Sequence, residues 1–188
     1  MANTKYRYDT SVKELLADKQ VLARILKYSL EEFKNYSFNE IMAMIDEPEV
    51  GNIFVEPGLS NLEKAKLLST EDSVPNEGKI VYDIRFNAYL GKDKIKIIIN
   101  IEAQKSSNPK DLKYHLDNRN IFYLSRLISS QKDVEFKNSN YDDIKCVKSI
   151  WICMDGDDDT DSINRFSFKK ESIYGKDIEL PKERRGRS

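Results

Sequence analysis

Residues 79–104 read KIVYDIRFNAYLGKDKIKIIINIEAQ, and the fold turns on how this stretch is read. Lys79–Leu90 and Ile95–Ala103 are rich in β-branched and aromatic residues, and Gly91-Lys92-Asp93-Lys94 separates them, which predicts two antiparallel strands joined as a hairpin. In a strand, side chains two apart share a face, so Glu102 and Gln104 point one way and Ile101 and Ala103 the other. Asp83 falls near the middle of the partner strand. If the hairpin brings the two strands together, Asp83 and Glu102 can converge on one hard cation, the kind carboxylate oxygens prefer. A carboxylate in an isoleucine-rich strand needs such a partner, because burial without one costs several kcal/mol or forces protonation. The spacing also admits the alternative that both acids lie on a solvent face, paired with Arg85 or Lys96.

The segment from Ser11 to about Asn35 carries Leu15, Leu22, Ile25, Leu26, Leu30 and Phe33 at three- and four-residue intervals, which predicts a long amphipathic helix. Asp9, Thr10 and Ser11 are its N-cap candidates, with Glu14 three residues after Ser11 as a capping box requires. A shorter helix is expected over Phe38–Ile45, ending before Pro48. Between Asp46 and Gly78 the pattern weakens, and only Asn52–Glu56 reads as a strand. After the Asn108-Pro109 break, Lys110–Gln131 is apolar around most of its circumference, which predicts a helix packed between the sheet and other elements. On it Arg119, Tyr123 and Arg126 recur at i, i+4 and i+7 and share a narrow face. Guanidinium groups grip phosphate oxygens bidentately, so this stripe suits phosphate binding; an ion-pair network with Asp117 or Glu135 is the alternative. Lys145–Met154 (KCVKSIWICM) reads as a buried strand. The predicted order is α, weak β, β, β, α, β, an α/β fold with a mixed central sheet flanked by helices.

The 188 residues suit one domain, and 39% hydrophobic with 34% charged residues is ordinary for a chain that folds. No apolar run reaches the roughly 20 residues of a membrane span, and MANTKYRYDT lacks the apolar stretch of a signal peptide, so a cytoplasmic protein is expected, with no membrane partner. Cys146 and Cys153, seven apart on one predicted strand, point to opposite faces and are expected to be buried, reduced thiols. The formal net charge is −1, yet Asp83–Lys132 holds ten Lys plus Arg against five Asp plus Glu. That local excess fits either a nucleic-acid surface or a solvated lysine-rich hairpin.

Several features are set aside. The run DGDDDTD (155–161) lacks the sixth-position Gly of an EF-hand and has Phe166 where the twelfth-position Glu belongs. His115 is the only histidine, which excludes His-based metal sites and argues against a Ser-His-Asp triad. KERRGR (182–187) reads as a basic terminal tail.

The order Asp83, then a strand ending Ile101-Glu102-Ala103-Gln104, then a helix, resembles the PD-(D/E)XK nuclease superfamily. Val21-Leu22-Ala23, Glu32-Phe33-Lys34, YDIRF, NIEAQ, YLSRLIS and SIWICM look like its transposase-type, recombination-promoting nuclease branch, and the likeness runs from about Ser11 to Met154. It implies a restriction-endonuclease-like core over residues 1–161. A C-terminal segment, 162–188, is expected to be truncated or partly disordered, since full members of the branch usually run longer. The implied activity is Mg²⁺-dependent DNA endonuclease, with Mn²⁺ as substitute, DNA as partner, and a homodimer left open. Asp83, Glu102 and the Ala103 carbonyl are the implied metal ligands. Metal would activate water and neutralise charge building on the phosphodiester. Gln104 takes the position usually held by Lys, as this branch commonly has it; a neutral amide can orient water but brings no positive charge. A third acid often comes from the first helix of related nucleases. Glu32 borders the Leu22–Ile25–Phe33 stripe whereas Glu31 points away, so Glu32 is the choice, its alternative being an ordinary surface glutamate. Arg119, Tyr123 and Arg126 also fall at matching positions, as DNA-phosphate contacts. The rival implication, favoured by Gln104 and the short C-terminus, is a catalytically weak or inactive nuclease-fold module that binds DNA or a protein.

Overall fold

The computed structural model describes residues 11–51, 71–74, 78–154, 163–168 and 173–175. Residues 11–17 form α1, followed by α2 (Lys19–Ser29), a 3₁₀ turn (Glu31–Phe33) and α3 (Phe38–Met44). The strands are β1 (Glu49–Val50), β2 (Glu71–Val74), β3 (Gly78–Val81), β4 (Ile84–Leu90), β5 (Ile95–Gln104) and β6 (Cys146–Cys153). Between β5 and β6 lie α4 (Pro109–Leu112) and α5 (Leu116–Ser129).

The principal sheet is mixed, in the order β1-β4-β5-β6, and β2 and β3 pair separately. β4 and β5 are the predicted antiparallel hairpin, with Ile84 opposite Ile101 and Leu90 opposite Ile95. Gly91 opens their connection at φ 68°, a conformation that costs glycine least. β6 returns parallel to β5 after α5, the crossover that parallel pairing demands.

Alternation divides this sheet into two unlike faces. Ile84, Phe86 and Ala88 stand opposite Ile101, Ile99 and Ile97, and with Ile150 and Ile152 they meet Leu22, Ala23, Leu26, Phe33 and Ile41 of the N-terminal helices. This is the main core. Each fully buried isoleucine contributes about 1.5–3 kcal/mol, which outweighs any local preference of the strand. The other face carries Arg85, Asn87, Asn100 and Glu102, all buried, together with Ile98; Ile98 and Tyr82 pack against Leu127 of α5. A polar interior beneath a helix is where binding groups are to be sought.

The long N-terminal helix is broken. The Asp18 carboxylate accepts from Gln20 N (2.8 Å) and Val21 N (3.2 Å), capping α2 afresh where a continuous helix was expected. Ser37 and Glu40 form a reciprocal capping box at the start of α3, which follows the expected bounds. The predicted 79–90 strand is also two pieces. β3 pairs with β2, the chain bends at Tyr82–Asp83, and β4 joins the main sheet. Asp83 therefore sits at a bend rather than in mid-strand. The second helix breaks at Lys113, which takes a left-handed conformation (φ 69°) that closes α4. Ile121 and Phe122 on α5 are 50% exposed, so this helix packs on one side rather than all round. β6 is half-buried along its length and Cys153 is exposed, contrary to the buried strand and buried thiols expected; both cysteines are free. Asn52–Glu56, the 155–161 acidic run, the Asp9 and Thr10 caps and the 182–187 tail lie outside the described residues. Of the C-terminal segment, Arg165 donates to Ser29 O (3.1 Å) at the end of α2.

Candidate metal centre

Where β4 begins and β5 ends, the bend at Asp83 faces Glu102–Ala103. The register that places Ile84 opposite Ile101 carries the bend to this point. Gly51 N donates to Asp83 O at 2.7 Å and fixes the bend from the β1 side. Two further bonds join it to β5: Ala103 N donates to Asp83 Oδ2 (2.9 Å) and Asp83 N to Glu102 Oε1 (3.3 Å). Asn100 Nδ2 also donates to Glu102 Oε1, at 3.0 Å. The two acids are brought side by side, Glu102 holding the main chain of Asp83 and Asp83 that of Ala103.

Glu102 is 3% exposed. Burial, with the neighbouring charge of Asp83 as second cause, pushes its carboxyl up to about 8; the bonds from Asp83 N and Asn100 and the nearby Arg119 charge only partly oppose this. Metal-free, Glu102 thus holds a proton at neutral pH. Asp83 has a cation of its own: the Lys13 ammonium, from α1, lies 2.9 Å from Oδ1. Lys96, a solvent-face partner expected for these acids, is engaged elsewhere. Lys96 pairs with Glu135, and Arg85 is buried with its guanidinium over the Tyr82 ring.

The main chain adds one more donor. Gln104 O accepts from Met154 N on the β6 side, so strand alternation turns the peptide groups of Ala103 toward β4, where its N–H already meets Asp83. Its carbonyl therefore lies on the Asp83 side. Two carboxylates and a peptide oxygen are a donor set suited to a hard divalent cation. To form that set, Lys13 must yield Asp83 Oδ1 and Glu102 must lose its proton. Among the described residues no group of three or more His, Cys, Asp or Glu is placed to hold a cation.

Glu32 is not brought to this pair. Its carboxylate, 4% exposed, bonds Lys148 Nζ at 2.7 Å. Lys148 stands opposite Ile99 in the β5–β6 ladder and so belongs to the main-core face, whereas Glu102 is on the other. The glutamate is a buried ion-pair partner, neither a third ligand nor a surface residue. Burial pushes the neighbouring Cys146 thiol up, which keeps it protonated and unreactive.

The Arg–Tyr–Arg stripe divides. Arg126 is buried (2% exposed), closed off from a surface phosphate. Tyr123 packs edge-on against both Tyr82 and Trp151. Arg119 reaches the site: Nη1 donates to Gln104 Oε1 (3.3 Å) and Tyr114 OH (3.0 Å), and Nη2 to Tyr123 OH (2.9 Å). Its guanidinium lies over the Tyr123 and Trp151 rings, at 4.9 and 5.2 Å. Neither Asp117 nor Glu135 pairs with it. Gln104 in turn donates from Nε2 to Ser106 O (3.0 Å).

Sequence reasoning missed Lys13 altogether. Its one signal was a cation three residues before Leu16, at the border of the stripe that α1 buries. No family model, no curated protein and no solved structure matches the chain.

Proposed function

We propose that this protein is a Mg²⁺-dependent DNA endonuclease of the PD-(D/E)XK, transposase-associated type, hydrolysing phosphodiester bonds at the Asp83–Glu102 pair. The observation that carries this reading is the pair itself: a glutamate whose charged form is disfavoured first by burial and then by a second carboxylate at the junction of β4 and β5. Structural carboxylates are normally settled by fixed cations or solvent. Here Lys13 lies against Asp83, and Glu102, buried beside that second carboxylate, is raised to about 8.

Asp83, Glu102 and the Ala103 carbonyl would hold the ion. When bound, Mg²⁺ supplies activation of water and neutralisation of charge building on the phosphodiester. Asn100 and the Asp83 main chain orient Glu102, and the Ala103 N–H orients Asp83. The locally basic stretch between Asp83 and Lys132 supports DNA as the substrate.

Plasmid nicking in Mg²⁺ against EDTA tests the reading. Wild type is expected to nick only with metal, and Asp83→Ala and Glu102→Ala to lose at least a hundredfold in rate; variants as active as wild type would overturn it. A second reading, a nuclease-fold module that binds DNA or protein without turnover, draws on the neutral Gln104 and on the occupation of Asp83 by Lys13. Calorimetry separates the two: DNA affinity without Mg²⁺ or Mn²⁺ binding belongs to the module.

A further inference from the structure

The third motif position holds an amide, and its hydrogen bonds say what that amide does. Gln104 Nε2 meets a carbonyl that can only accept and Oε1 meets a guanidinium that can only donate, so both ends of the side chain are fixed and its orientation is unambiguous. One N–H and one lone pair remain over, but the plane of the amide is set by these two partners. What it orients is Arg119.

The guanidinium is held more completely than a surface phosphate contact requires. Three hydrogen bonds and two aromatic faces fix its plane. Trp151 stands directly opposite Glu102 in the β5–β6 ladder, so stacking on its ring keeps the charge beside the carboxylate pair. Of the five N–H groups of an arginine, three are engaged; among the described residues the Nε–H and the second Nη2–H have no partner.

We propose that Arg119 supplies the positive charge to the scissile phosphate that residue 104 lacks, and that Gln104 is the positioning residue that aims it. This rests on the nuclease reading above. In the step concerned, the oxygen of a water forms a bond to phosphorus while the bond from phosphorus to one sugar oxygen breaks. The water gives its proton to solvent and the leaving oxygen takes one from solvent. Arg119, which keeps its charge and its protons throughout, donates hydrogen bonds to the non-bridging oxygens as their charge grows.

The experiment uses the full chain and compares Arg119→Gln, Gln104→Lys and the double variant with wild type. Single-turnover nicking in Mg²⁺ is measured at saturating DNA, and DNA affinity in EDTA by fluorescence anisotropy across a salt series. Arg119→Gln keeps much of the packing volume, and a thermal melt matching wild type establishes that it folds. The expected result is a rate lowered about a hundredfold or more by Arg119→Gln with DNA affinity changed less than about threefold. Placing lysine at position 104 in that background should restore at least about tenfold, since the cation then comes from the strand. Loss of DNA affinity and a shallower salt dependence with the rate intact would make Arg119 a backbone contact and overturn the proposal. So would failure of Gln104→Lys to recover any rate in the Arg119→Gln background. Should Asp83→Ala nick as well as wild type, the nuclease reading itself falls; an inactive Asp83→Ala beside a fully active Arg119→Gln removes only the role given to Arg119.

Discussion

On the proposed metal reading, Lys13 and a divalent cation would ask for the same oxygen. The Lys13 ammonium holds Asp83 Oδ1 with both side chains largely buried, so it stabilises the pair and would compete with metal. Lys13→Met separates the two effects. Without added metal the variant should lose about 3–5 kcal/mol of stability, the usual result of leaving one member of a buried pair alone. Its Mn²⁺ affinity should rise roughly tenfold, because the bound cation then replaces a missing one. Calorimetric titration with Mn²⁺ and a chemical denaturation curve check both parts; unchanged or weaker Mn²⁺ binding would show that Lys13 and metal do not compete. The pair Asp83–Glu102 was legible less from strand chemistry, which left a solvent face open, than from the order of Asp83 and Glu102-Ala103-Gln104 along the chain. Lys13 was not, since a lysine near the start of a helix is unremarkable until the fold carries α1 some seventy residues back to the bend. Glu32 was misjudged for the converse reason. The helical stripe puts it at the core border, as read, but which face of the sheet it meets is decided by Lys148 on β6.

At the scale of elements, the bend between β3 and β4 sets the site. The alternation of Lys79–Leu90 reads as one strand, and nothing local to it announces a break at Tyr82–Asp83. The break depends on Gly51, distant in sequence, whose N–H bonds Asp83 O and whose bare Cα lets the Tyr82 carbonyl approach. A Cβ at Gly51 would stand 2.0 Å from Tyr82 O and 3.1 Å from its carbonyl carbon, both main-chain atoms with no flexible end to give way. Gly51→Ala is therefore expected to destabilise by about 2 kcal/mol or more and to move Asp83 off Glu102. Urea midpoints measure the first effect, and Mn²⁺ titration of whatever remains folded measures the second. A stable variant that binds metal normally would mean that the bend is held from the β5 side alone. The helices show the same limit on reading. Asp18 and Lys113 break two helices that periodicity runs together, one through a side-chain cap and the other through a left-handed residue. Periodicity reports which face is buried and is blind to both devices.

For the whole molecule, the class of fold followed from pattern alone, because β5 can bury Ile97, Ile99 and Ile101 only if a sheet is covered on that side by the apolar stripe of α2. The pattern did not disclose that the opposite side, under α5, would be polar and buried. That polar interior makes global stability depend on pH through Glu102. Its folded-state carboxyl titrates near 8, above the ordinary value of 4.5, so the native protein keeps a proton that the unfolded chain gives up. Stability from this group is fully present below about 4.5 and is lost as pH rises through about 8, with a slope of up to about 1.4 kcal/mol per pH unit between them. Glu102→Gln keeps the shape and removes the proton equilibrium. Denaturant unfolding in EDTA at several pH values should show the wild type falling relative to this variant from pH 5 to pH 8, and a constant difference would show that the native carboxyl is not raised. Saturating Mn²⁺ should flatten this fall for wild type alone: metal takes the place of the proton, so the stabilisation it adds over the metal-free protein grows as pH rises toward 8, whereas a glutamine at 102 offers no charge and leaves that gain small at every pH.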